Sequence, residues 1–235
     1  LKDAPAYDQI IQGLSGMMSV TGDAASGPLR AGYPVTDTFS GMVGAFAIVC
    51  ALMQRNASGR GTFIDVAMLD SALVAMGWVV SNYLIAGTQP RAQGNDNFTA
   101  APSGTFRASD GLLNISANKQ EQFEALAYAI GREDLTGDPR FAEREARKRN
   151  RAALTTEIEA SLAKRTTLEW EALLSKAGVP AGRVLEVAAV LASEQIDERN
   201  LLQTFEGVGD LGRPVNVLKT GFRFDSSGPH ADRPP

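Results

Sequence analysis

The sequence predicts an α/β protein, with its best internal boundary in the loop at 88–103, on three observations. Residues 38–86 show a helix–strand–helix order with nearly continuous apolar runs, the pattern of a sheet covered on both faces. Ser109-Asp110-Gly111 is a hairpin signature between two short β-rich runs, and amphipathic helices follow it. Charge is uneven, with 12 of the 50 charged side chains in residues 1–100. So charge-poor a stretch has to be covered, by the rest of the chain, by a partner or by further sequence.

The elements follow in order. Tyr7 to Val20 reads as a short helix over Asp8–Gly13 and then irregular chain, with Gly27-Pro28 and Gly32 to Pro34 punctuating the loop beyond. Asp37 or Thr38 starts a charge-free helix that runs to about Gln54 and ends near Ser58-Gly59-Arg60-Gly61. Its charge-free stretch of 17 residues is shorter than the roughly 20 apolar residues of a membrane span and contains Gly41 and Gly44, so it reads as a buried helix. Thr62–Met68 is a strand by composition, and a second apolar helix spans Leu69–Ala86 until Gly87 stops it. Thr88–Ser103 is a loop centred on Gly94-Asn95-Asp96-Asn97.

Beyond it, Thr105–Ala108 and Leu112–Ser116 form the hairpin strands. Lys119–Ile130 and Glu143–Arg165 are amphipathic helices, the second with Leu154, Ile158 and Leu162 on one face. Thr166 and Glu169 have capping-box spacing before a helix that stops at Gly178. Thr204–Val208, Val215–Thr220 and Phe222–Phe224 read as short strands. The divisions fall at 1–100, 101–190 and 191–235, the last returning toward the first unit.

Composition narrows the chemistry. Hydrophobic residues make up 44% and charged residues 21%, which fits a globular chain and not a disordered one. A net charge of −4 gives no electrostatic footprint for nucleic acid or an anionic membrane. The single cysteine, Cys50, and single histidine, His230, exclude a disulfide framework and a Cys/His metal site within the chain, and leave no central base for a histidine-dependent triad. No signal peptide is visible, and a soluble cytoplasmic chain is expected. Chemistry here has to use carboxylates, hydroxyls, lysines or backbone amides.

Asp37 is the leading candidate. It stands where a glycine-rich loop turns into the charge-free helix, so unpaired amides would hold its carboxylate ionised and oriented. On local sequence alone a plain N-cap is the simpler reading. The neighbouring Gly32, Gly41 and Gly44, which leave room for a bulky ligand, favour a functional one. Asp65 reads as an outward strand residue or ion-pair member, and Asp70 as a helix cap. Arg144, Arg147, Lys148, Arg149 and Arg151 form the one basic cluster; interleaved with Glu143 and Glu145, it reads as a solvated helix face. Cys50 is expected in the core, and Trp78 and Trp170 as packing residues.

Three segments, PAYDQIIQGLSGMMSVTGD, GPLRAGYPVTDTFSGMVGAFAIVCAL and GRGTFIDVAMLDS, resemble the class III CoA-transferase family, which includes the related 2-methylacyl-CoA racemases. TFRASDGLLNISANKQEQFEAL, GDPRF and GVPAGRV extend the resemblance over essentially the whole chain. The resemblance implies a partial Rossmann-like large domain over 1–100, a small α+β domain over 101–190, and a return segment. It also implies that the family's N-terminal part and a short C-terminal piece are missing here.

By the same resemblance, Asp37 matches the family's nucleophile, Met68 a CoA-contacting methionine, and Ala6 and Tyr7 a backbone CoA contact. The substrate loop falls on 94–101, with Asn97, Thr99 and Ala100, and the amides near 99–101 would steady oxyanions. This loop is rich in Asn, Thr and Ala where the family has a glycine string, and Pro5 stands where some members carry a basic CoA contact. The implied reaction moves coenzyme A from an acyl-CoA to a small carboxylic acid in an interlocked homodimer, with no tightly bound cofactor and no metal. Racemisation of a 2-methylacyl-CoA with Asp37 as base is the alternative, and a non-catalytic assembly fragment a further one.

Overall fold

The structure is a computed structural model that describes residues 4–207, 212–225 and 228–233. Its first helix, α1 (Asp8–Leu14), matches the expected short helix and ends at Ser15, with Gly16 in the left-handed region. After a single 3-10 turn (Met17–Val20) and a long loop comes α2 (Val35–Ser58), a helix of 24 residues. The helix begins two residues earlier than the sequence indicates, with Pro34 at the cap position, where a proline side chain can accept no hydrogen bond. The cap comes instead from α1. Asp8 Oδ1 accepts the Thr36 N–H at 2.8 Å and the Thr36 hydroxyl at 2.7 Å, while Oδ2 accepts the Gln12 amide at 2.7 Å. Gln12 Oε1 in turn accepts the Ala31 N–H at 2.8 Å. Asp8, Gln12 and Thr36 are all buried. Gly59, at φ 70°, closes the other end, and its N–H returns to the Arg55 carbonyl.

Five expectations fail in this half. The segment 60–67, which holds all but the last residue of the expected strand Thr62–Met68, forms no strand: no ladder partner lies beside it among the described residues, and Phe63 is 91% exposed. A strand exists only with a neighbour to pair its backbone groups. The single helix expected over 69–86 is broken into α3 (Met68–Ala75) and α4 (Gly77–Ala86), bent by 78°. Met76 leaves helical geometry at ψ 21° just before Gly77, which has weak helix propensity.

Nor is α2 a buried helix. Met42, Phe46 and Met53 are exposed, as are Leu84 and Ile85 of α4, because no layer covers that side among the described residues. Cys50 is exposed with them and is not a core thiol. At its full length α2 is long and apolar enough to cross a membrane, so the shortness expected of it does not hold.

The packed core belongs to the second half. Strands β1 (Ser103–Arg107) and β2 (Leu112–Ser116) pair antiparallel across the predicted hairpin, and β3 (Ala181–Arg183) adds antiparallel to β2, giving the order β1-β2-β3. Period-2 alternation turns Leu113 and Ile115 inward, while Asn114 faces out and accepts the Thr105 hydroxyl at 2.6 Å.

Helices α5 (Gln120–Ala129), α6 (Asp134–Gly137), α7 (Arg144–Arg149), α8 (Arg151–Leu162) and α9 (Thr167–Lys176) complete the unit. Phe106, Leu113, Phe123, Leu126, Leu154, Ile158, Trp170 and Leu174 meet in one buried cluster. The expected long helix 143–165 is interrupted at Asn150, whose side-chain amide donates to the carbonyls of Arg140 and Ala146 at 3.1 and 3.0 Å. The capping box forms as expected: Glu169 N–H reaches the Thr166 hydroxyl at 3.3 Å, and Thr166 N–H reaches Glu169 Oε2 at 2.9 Å. Gly178, at φ 76°, follows the helix end.

Short helices α10 (Val187–Leu191) and α11 (Glu194–Glu198) lead to a two-stranded antiparallel sheet, β4 (Leu202–Phe205) with β5 (Val215–Leu218). The strand expected at Thr204–Val208 is therefore set earlier, and Val208 lies outside the described residues. Phe222–Phe224 forms no strand, only an isolated bridge at Phe224.

Two stability predictions follow from these contacts. Trp170 is 3% exposed and its indole N–H donates to the Leu162 carbonyl at 2.8 Å. Trp170→Ala should cost about 3–5 kcal/mol in urea unfolding, through the cavity and the orphaned carbonyl. Burial pushes the Asp8 carboxyl up, but the hydrogen bonds from Thr36, Gln12 and the Asp37 N–H outweigh it and hold the group below its ordinary value of 3.8. Asp8→Ala should cost about 1–3 kcal/mol at neutral pH. The stabilisation is complete above the unfolded carboxyl value and is lost as pH falls through the lower folded one. The difference between wild type and Asp8→Ala should accordingly shrink as pH falls below about 5.

Candidate functional site

Asp37 is the third residue of α2, and Asp8 frees it. The carboxylate of Asp8 caps the helix through the Thr36 N–H, so the Asp37 side chain is not the cap the local sequence suggests. Its carboxylate is exposed and makes no hydrogen bond or ion pair among the described residues. One and two turns along, a Cβ added at Gly41 or Gly44 would meet nothing within 4 Å, so the surface beside the carboxylate is open. An unengaged carboxylate on an open helix start can attack an electrophile directly, without first losing a proton.

The expected CoA contacts lie on the elements packed around it. Ala6 and Tyr7 lead into α1 and are exposed, Tyr7 by 82%. Met68 is the first residue of α3 and is half-buried. Helices α1, α2 and α3 pack on one another, so all three positions stand at the N-terminal ends of mutually packed helices. Asp70 is exposed at the third position of α3, and Ala67 holds the cap position expected of it.

The loop residues gather elsewhere. Trp78 of α4 stacks on Phe98, with ring centroids 4.8 Å apart and planes within 1°. This pair, together with Asn82, Asn97, Thr99 and Asn114, helps line a cleft of about 780 Å³, mostly walled by the 88–99 loop. Trp78 is therefore a stacking residue and not only packing. Asp37 does not line this cleft. The chain joins Asn97 and Thr99 in one cavity, and Asp37, Tyr7 and Met68 are not among the residues that line it.

Ala100 departs from expectation: it is 1% exposed and is absent from the cleft wall. The amides expected to steady oxyanions are also committed or sealed. Thr99 N–H and hydroxyl both donate to Asn97 Oδ1, at 2.8 and 2.7 Å, and Ala101 is as buried as Ala100. Gly104 of β1 supports the loop from below, since a Cβ there would come within 2.9 Å of Asp96 Oδ1 and 3.0 Å of the Asn95 carbonyl.

The basic cluster is the residue set that the sequence reading missed. Arg147 and Arg151 are not part of a solvated face, and Arg144, although exposed, also donates to a loop carbonyl. Arg144 Nη2 reaches Thr99 O at 2.9 Å, and Arg147 Nε reaches Ala101 O at 2.9 Å. Arg151 reaches Ser103 O at 3.1 Å, Ala100 O at 2.7 Å and Asn97 O. Arg147 is 1% exposed, lies 4.2 Å from the Phe123 ring centroid, and also donates to the carbonyls of Phe141 and Ala142. Burial pushes its guanidinium below the ordinary arginine value. The available signal was spacing: positions 144, 147 and 151 follow helical periodicity. Among the described residues, no group of His, Cys, Asp and Glu is arranged to hold a metal.

Comparison with known proteins agrees with this architecture. Acetyl-CoA:oxalate CoA-transferase of Acetobacter aceti is 35% identical over 214 residues, covering 91% of this chain and 55% of that protein. Succinate–glutarate CoA-transferase of Agrobacterium fabrum is 29% identical, covering 97% and 58%. The crystal structure of a CaiB/BaiF family protein from Brucella suis matches with a TM-score of 0.82 at 34% identity, over 96% of this chain and 58% of that one. The chain thus spans little more than half the length of these relatives. The model of CoA-transferase family III matches residues 1–235, and with these likenesses in sequence and fold the chain belongs to that family.

Proposed function

We propose that the protein carrying this chain transfers coenzyme A from an acyl-CoA donor to a small carboxylic acid, with Asp37 as the nucleophile. The observation that carries the reading is the free carboxylate of Asp37 at an open helix start, made free because Asp8 supplies the cap. The CoA-transferase names of the relatives support the reaction class. CoA enters as a substrate, and no resident cofactor is invoked.

The proposed chemistry balances without a proton carrier. An Asp37 oxygen attacks the thioester carbonyl, the C–S bond breaks, and CoA leaves as thiolate from a mixed anhydride. The thiolate attacks the aspartyl carbonyl of that anhydride, releasing the donor acid as carboxylate and leaving an aspartyl-CoA thioester. The acceptor carboxylate attacks this thioester and expels the thiolate. The thiolate then takes the acyl carbonyl of the second anhydride, which yields the new acyl-CoA and restores Asp37. Each intermediate is open to water, so exclusion of water decides whether the thioester's energy survives.

In this reading, residues 1–100 belong to a large CoA-binding domain, 101–190 form a small domain, and 191–235 return toward the first. Tyr7, Ala6 and Met68 contact CoA, and the 94–101 loop faces the acyl group. The exposed apolar side of α2 and α4 is covered in the complete protein by an interlocked second subunit. Racemisation gains no support from the relatives compared above.

The test uses the complete protein. Asp37→Asn should lower CoA transfer by about a thousandfold or more, because it removes a group that forms the bond being made. Hydroxylamine added with acyl-CoA should trap the wild-type aspartyl thioester as a hydroxamate at Asp37. Transfer at wild-type rate in Asp37→Asn would overturn the proposal. Deuterium entering the α-carbon without any acceptor acid would point to racemisation instead.

A further inference from the structure

Five of the seven carbonyl groups in the segment 97–103 are held by three guanidinium groups: those of Asn97, Thr99, Ala100, Ala101 and Ser103. We infer that Arg144, Arg147 and Arg151 are positioning residues, a clamp from α7 and α8 that fixes the loop wall of the Trp78–Phe98 cleft. With the 94–101 loop facing the acyl group, as proposed above, a wall fixed by the clamp would limit the access of water to the acyl intermediates. The inference rests on the proposed transfer reaction and adds to it a set of residues that touch neither substrate nor CoA.

Backbone N–H groups reach two carbonyls of the 97–103 stretch, Ser103 O from Asn97 and Pro102 O from Ala117, and its other carbonyls need donors from elsewhere. Water would satisfy them but leave the loop mobile. An arginine fork presents five N–H donors in a rigid plane, so one side chain can hold several carbonyls at fixed relative positions. Arg151 does this for three of them, and Asp96, whose Oδ1 lies 3.7 Å from Arg151 Nη1, adds a carboxylate from the same loop.

Energetics point the same way. Arg147 is sealed in the protein with no carboxylate at ion-pair distance among the described residues; carbonyl dipoles and the Phe123 ring contact its charge, and Glu143 and Glu124 act on it only from farther away. Burying an unpaired cation is costly, and a well-packed apolar side chain would serve stability as well or better. What a leucine cannot do is fix the carbonyl of Ala101. The break at Asn150 does not disturb the row, since Arg151 follows Arg147 at the same four-residue spacing that carries one face across it.

The experiment reads two quantities in the complete protein: amide exchange in the 94–103 segment without substrate, and the ratio of acyl-CoA hydrolysis to transfer. Arg151→Met should raise both by about tenfold, and Arg151→Lys, which keeps the charge but not the fork, by less. Arg144 is exposed and makes one loop bond, so Arg144→Met keeps a folded test available and should raise both by about two- to threefold. Arg132→Met is the control. It removes ion pairs to Asp134 and Glu157 in the same unit, away from the loop, and should leave both quantities unchanged. Unchanged exchange in Arg151→Met, faster exchange with an unchanged hydrolysis ratio, or an equal response in Arg132→Met would each overturn the clamp. Wild-type protein that transfers no CoA would overturn the reaction and the clamp together. Transfer that is lost in Asp37→Asn but partitions normally in Arg151→Met would overturn the clamp alone.

Discussion

The first third of the chain is organised by one buried carboxylate. Asp8 accepts from the Thr36 amide and hydroxyl and from Gln12, and so joins the start of α1 to the start of α2. A helix start needs acceptors for its unpaired amides, and Pro34 offers no side-chain oxygen at the cap position. Supplying the acceptor from another helix has a second effect. The one acidic residue in the first turn of α2 is released from capping and left with two free oxygens at an open surface. Local structure, packing and chemistry are linked through that single group.

The second half solves a different problem by different means. Its sheet and helices bury a continuous apolar cluster, and that rigid body holds the 97–103 segment with arginine side chains. A loop rich in Asn, Thr and Ala has little apolar surface to dock, so directional polar contacts place it. Asn97 fastens the amide and hydroxyl of Thr99 locally, and Gly104 gives the loop room to lie on β1.

Local signals were legible in the sequence. The hairpin at Ser109-Asp110-Gly111, the Thr166–Glu169 box and the Gly178 stop each depend on residues within a few positions, and all three stand as read. Asp37 was legible as a helix-start carboxylate, but the source of the cap was not, because Asp8 lies 28 residues away. The Thr62–Met68 strand failed because composition marks a segment that can pair and cannot supply its neighbour. Helix breaks at Met76 and Asn150 were missed because apolar periodicity runs on across both. The arginine row was read as solvated because charge on a helix face usually is, and the carbonyls that reverse this lie some 45 residues upstream. The family resemblance, by contrast, survives the loss of any one motif, since it draws on segments along the whole chain.

The stacked Trp78–Phe98 pair gives the molecule an optical handle. The chain has two tryptophans, one packed in the core at Trp170 and the other largely exposed at Trp78 against the loop. Their emission should separate into a blue-shifted, shielded component and a red-shifted one that dissolved quenchers reach. Occupation of the cleft changes only the second, so its intensity reports loop arrangement without any attached dye.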